Sequence, residues 1–159
     1  MRMSMLWATA LGVSAGLAMP ALALSPGEAE AVVEIVERLA EETGEGMVVD
    51  AAGIFFDYDS LGASLIPEAG FDRQSWVTAY EAVASGYMAT LSEDEFNGVF
   101  EEPLAMLEKS ALPEDQKQMF WEHVESLIAD AKQTRLAGMA YVDVVRPLED
   151  RLYPLFFGE

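Results

Sequence analysis

The stretch Phe71 to Leu91, FDRQSWVTAYEAVASGYMATL, sets Trp76, Tyr80, Val83, Tyr87 and Leu91 at steps of four, three, four and four. That period puts three aromatic rings on one side of a helix, widened by Val77, Ala84 and Met88. Asp72 stands where an N-cap is expected, and Arg73, Gln74, Glu81 and Ser85 fall on other faces. So much apolar area must be buried, so the neighbouring segments are predicted to pack around this helix. Aromatic rings at helical spacing are ordinary core; lining a ligand pocket is the rival reading.

Residues 1–23 carry the parts of a secretory signal peptide in order: Arg2, an uncharged and mostly apolar run from Leu6 to Ala18, and the A-x-A site Ala21-Leu22-Ala23. Pro20 would stop a helix just before that site. An uncleaved anchor is the rival reading, but Ser, Gly and Pro dilute the uncharged run from Met3 to Gly27. Cleavage after Ala23 leaves residues 24–159, expected to form a single helical domain that is periplasmic or secreted by bacterial export. With no cysteine, the chain has no lipobox, disulfide framework or thiolate zinc site.

Helix-start signals recur along these residues. Ser25, Pro26 and Glu28 form a capping-box pattern before the stripe Val32, Ile35, Val36 and Leu39, opposite Glu30, Glu34, Glu37 and Glu41, with Gly44 and Gly46 as the stop. Met47 to Tyr58 keeps helical spacing, although Val48-Val49 and Ile54-Phe55-Phe56 also suit short strands. Asp59 to Gly70 reads as irregular. Ser92 and Glu95 form a second capping box, with Leu91 and Phe96 placed as a hydrophobic staple, and Pro103 predicts a break near Glu101. Glu114 opens the longest helix, whose stripe of Phe120, Val124, Leu127 and Ala131, flanked by Trp121 and Ile128, is expected to be buried. It either continues past Gly138 towards Arg146 or turns back there. Leu148 to Tyr153 adds a turn, and the apolar tail from Pro154 to Phe157 folds onto the core. The similar starts LSEDE and LPEDQ reflect shared capping chemistry, since the segments after them differ. The expected class is all-α, a small irregular bundle of about five or six helices.

Charge narrows the function classes. Nine Lys and Arg against 28 Asp and Glu give −19, and removing Arg2 leaves 8 against 28, or −20. Such a chain repels nucleic acid and anionic membranes, and favours divalent cations or a basic protein partner. The plainest reading is a well-solvated acidic surface.

Asp57, Asp59, Gly62 and Glu68 match positions 1, 3, 6 and 12 of an EF-hand loop. Leu61 removes a ligand at position 5, and Ser64 replaces the usual apolar residue at position 8. Gly70 and the cap at Asp72 leave no helix departing from Glu68, so no metal site is expected there. An acidic turn in which Asp57 or Asp59 caps backbone amides is the simpler reading. The clusters Glu93-Asp94-Glu95 and Glu101-Glu102 suit a helix start and a solvated break. His123 is the sole imidazole, no G-x-S-x-G surrounds a serine, and there is no P-loop or G-x-G-x-x-G. No catalytic residue and no cofactor is therefore assigned. The expectation is an exported, non-enzymatic protein that binds or scaffolds another, basic, protein. The alternative is a calcium-binding module or enzyme with an acidic site at Asp57, Asp59 and Glu68.

Overall fold

The computed structural model describes residues 23–158, so the signal-peptide reading falls outside the described residues except for Ala23. The helices are α1 (Pro26–Thr43), α2 (Ala52–Ser60), α3 (Leu65–Glu68), α4 (Arg73–Thr90), α5 (Glu93–Lys109), α6 (Glu114–Gly138), α7 (Val142–Val145) and α8 (Glu149–Phe157). Six of them run nine residues or longer, and there is no strand among the described residues. The all-α bundle expected from the periodicity is what the chain forms.

Helix α4 lies at the centre, touching α1, α2, α6, α7 and α8. Asp72 caps it reciprocally with Ser75: the Ser75 N–H donates to the Asp72 carboxylate at 2.7 Å, and the Asp72 N–H donates to the Ser75 hydroxyl at 2.9 Å. Trp76, Tyr80, Val83 and Tyr87 are buried as the spacing predicts. Phe71, Trp76, Tyr80 and Phe55 form an aromatic ladder with centroid separations of 5.8, 5.7 and 5.9 Å. The rings also bond: the Trp76 indole donates to the Ala52 carbonyl at 2.8 Å and the Tyr80 hydroxyl to the Val48 carbonyl at 2.8 Å. A buried N–H or O–H left unpaired would be costly, so these bonds fix α2 and the strand-like approach to it.

Ser85, which lies off the aromatic stripe, is buried as well. Ala82, Ser85 and Gly86 form a second, small-residue face that lets α6 and α7 approach α4 closely. A methyl group at Gly86 would stand 2.8 Å from Val145 Cγ2, and one at Gly138 would overlap the Ser85 carbonyl. Glycine is needed at both places for lack of space.

At the N-terminal end, Ser25 and Glu28 close the predicted capping box, and Gly44 ends α1 with φ 74°. Beyond it the Met47 N–H donates to the Leu155 carbonyl at 2.7 Å, fastening the segment before α2 to α8. Arg151 on α8 grips Glu37 at 2.6 Å and Glu30 at 3.2 Å on α1. The tail folds onto the core as expected, with Phe156 stacked on Tyr87 at 4.7 Å, but it is helical through Pro154.

Other expectations are corrected. Residues 47–58 are not one helix: Val48 is extended, Val49–Ala51 form a 3-10 turn, and α2 starts only at Ala52. The segment after it is not wholly irregular, because Asp59 belongs to α2 and residues 65–68 make α3. Helix α5 runs without a break through Pro103. Pro103 has no N–H to give the Val99 carbonyl, and the stretch is exposed. Helix α6 ends at Gly138, and the chain goes on in shorter helical steps: a 3-10 turn at Met139–Tyr141, α7, and a second 3-10 turn at Arg146–Leu148. The largest departure concerns burial, since no residue between Phe96 and Gly138 is buried.

Candidate functional site

Helices α5 and α6 form a hairpin through the short turn 110–113, where Lys117 Nζ donates to the Glu108 carbonyl at 3.1 Å. Its root is tied to the bundle by Arg135. That guanidinium donates to the Met88 carbonyl at 3.2 Å and the Leu91 carbonyl at 2.6 Å, and lies 5.1 Å over the Phe96 ring. The last carbonyls of α4, which have no partner within the helix, are thus satisfied from α6. Phe96, four residues after the Ser92 cap, is buried and completes the staple with half-buried Leu91.

Beside this root lies a pocket of about 300 Å³. Met47, Val48 and Val49 line one side, Tyr87, Met88 and Leu91 its floor, and Phe96, Val99, Phe100, Ala131, Phe156 and Phe157 the rest. Not one charged side chain is among them. Burial pushes the Tyr87 phenol up to about 12, with the charges of Tyr153, Glu149 and Glu95 adding to it.

Val99, Phe100 and Ala131 carry the pocket wall onto the hairpin. At about 100° per residue, Leu127, Val124 and Phe120 all fall within about 40° of Ala131 around α6. Met106, seven residues after Val99, returns to the same face of α5. Phe120 and Leu127 are half exposed, at 50% and 49%, and Met106 is 61% exposed. Of the stripe expected to be core, Phe120 and Leu127 are thus presented to solvent, while Val124 is half-buried and half-buried Ala131 joins the strip to the pocket. Acids border it: exposed Glu102 lies three after Val99 and four before Met106, and exposed Asp130 lies three after Leu127. His123, between Phe120 and Leu127 in the helix, is exposed.

The acids read as a possible calcium site are placed apart in role. Asp59 is buried, and its two carboxylate oxygens accept the Leu65 and Ile66 N–H groups at 2.9 Å each. Its carbonyl accepts the N–H of Ser64, which sits at φ 57°. Asp59 is therefore the cap of α3. Asp57 is exposed and takes both guanidinium nitrogens of Arg73, one at 3.2 Å, and that hydrogen-bonded cation holds its carboxyl below the usual carboxylate range. Arg73 also lies 5.4 Å from the Phe56 ring centroid. Glu68 ends α3 on the surface. Among the described residues, no group of three His, Cys, Asp or Glu side chains converges to hold a metal ion. Within the cluster Glu93-Asp94-Glu95, hydrogen bonds to Ser92 hold the Glu95 carboxyl below its usual range.

Fold and site together define an all-α bundle bearing an acidic helical hairpin with one apolar face. Comparison with protein-family models, with curated proteins and with solved structures finds no match.

Proposed function

We propose that this is an exported, non-enzymatic binding protein that holds another, basic, protein against the α5–α6 hairpin. The apolar strip carries the reading. Contiguous exposed apolar side chains rimmed by charge are the mark of a protein-docking surface, and a hairpin with no fully buried residue between Phe96 and Gly138 contributes little to the core. Residues 93–138 hold 11 acidic and 4 basic residues, a net charge of −7, which speeds encounter with a cationic partner. Export rests on the sequence of residues 1–23. It is compatible with the fold, since Leu24 is buried and Ser25 caps α1, so cleavage after Ala23 spares both.

The test is capture from a periplasmic extract at physiological salt by residues 24–159, wild type against Phe120→Ser/Leu127→Ser. A basic protein held by the wild type and released by the double variant is the expected result. Equal capture by both proteins, with circular dichroism unchanged, would refute the docking role of the hairpin.

A further inference from the structure

Resting on that reading, we infer that the occupant of the strip is a cationic amphipathic helix, and that the pocket is the socket for one of its apolar side chains. Length, charge and chemistry converge on this. From Phe120 to Ala131 is eleven residues of α6, about 16 Å of rise, which matches about three turns of a helix laid alongside. Such a helix shows an apolar stripe to Val99, Met106, Phe120 and Leu127 and turns its polar flanks to the acids on either side. Glu102 and Asp130 sit on those flanks, so lysine or arginine beside the stripe is matched and an acidic helix is repelled. At the root end the strip gives way to a hollow of about 300 Å³, room for one large aliphatic or aromatic side chain. Its wall includes Met47 and Met88, whose flexible thioethers accommodate differing anchor shapes.

A second copy of the chain fits less well. Two hairpins of net −7 would meet face to face, and the charged rows would oppose like with like. An anionic lipid surface meets the same repulsion.

The probe is a labelled synthetic 18-residue helix of leucine and lysine, with a scramble of identical composition as control, binding residues 24–159 in physiological salt. Two neutral variant pairs separate the parts: Val48→Ser/Phe157→Ser at the pocket mouth, and Phe120→Ser/Leu127→Ser on the strip. All four side chains are more than two-fifths exposed, so the fold tolerates their loss. We expect the helix to bind at least tenfold tighter than its scramble, and each pair to weaken it at least tenfold. Weakening by the strip pair alone overturns the socket while leaving the proposed function standing. Equal binding of helix and scramble, or no binding, overturns the helix as occupant. A dimer of the chain that dissociates in the strip pair reassigns the face to self-association. A neutral apolar dye, N-phenyl-1-naphthylamine, provides an independent reading on the wild type: the helix should displace it and the scramble should not, and failure of displacement counts against the socket.

Discussion

Gly138 lies flush against Ser85, so that a methyl group at 138 would overlap the Ser85 carbonyl and crowd the Gly86 nitrogen. The obstacle is backbone and cannot swing aside, so this crossing sets how closely α6 approaches α4 and where the hairpin departs. Gly138→Ala is expected to cost at least about 3 kcal/mol, the upper end for overpacking. Gly98→Ala on exposed α5 meets nothing within 4 Å and should stabilise by about 0.5–1 kcal/mol. Urea denaturation of the two variants checks the contrast, and equal effects would sink the role of the crossing.

Trp76 joins the aromatic ladder to α2 through its bond to the Ala52 carbonyl. Trp76→Ala should lower stability by about 3–5 kcal/mol, as for other large core aromatics. A melting temperature equal to that of the wild type would remove α4 from its central place.

Asp59 holds α3 through two buried N–H groups. Asp59→Ala leaves both donors without a partner and should cost about 2–6 kcal/mol, given 1–3 for each orphaned group. At Asp59 both carboxylate oxygens already accept buried backbone N–H groups, and Asp57 is already paired with Arg73. Titration calorimetry at physiological ionic strength is expected to show no saturable calcium site tighter than about millimolar. One-to-one micromolar binding abolished by Asp57→Ala would restore the calcium reading.

Alkaline pH should loosen the fold through Tyr87. Burial raises its folded value to about 12 from the ordinary 10, while the unfolded chain keeps the ordinary one. Below pH 10 the neutral phenol contributes fully; as pH rises from 10 towards 12 the unfolded state ionises first and that stability is lost. Tyr80 is pushed upward by burial in the same direction. Tyr87→Phe should therefore flatten the fall in stability over that range, by an amount of the order of 2 kcal/mol. Denaturation midpoints of wild type and variant at several alkaline pH values measure it, and identical slopes would count against a buried, neutral phenol.

Residues that act on their near neighbours were legible in the order of amino acids. The boxes at Ser25 and Ser92 and the cap at Asp72 are short-range bonds between residues three apart, so they read directly from the chain. The aromatic stripe of α4 was legible too, because steps of three and four put Trp76, Tyr80, Val83 and Tyr87 on one face wherever that helix goes. Asp59 as a capping residue was among the readings, but the α3 it caps was not, since four residues carry too little periodicity to register.

Tertiary structure alone decided which apolar stripes were buried. Phe120, Val124, Leu127 and Ala131 have the same period as the stripe of α4, and period says only that side chains share a face, not that anything covers it. Coverage depended on where α6 crosses α4, which Gly138, Gly86 and Ser85 set by close backbone approach between residues some fifty apart in sequence. The pocket arose the same way, because Met47, Tyr87, Val99 and Phe156 come from four separate segments and meet only when α8 and the hairpin root close around the end of α4. Sequence determined helices, caps and charge, which are local or additive properties. Whether a face became core or docking surface was settled by long-range packing, where a missing methyl at one crossing outweighs the pattern of a whole helix.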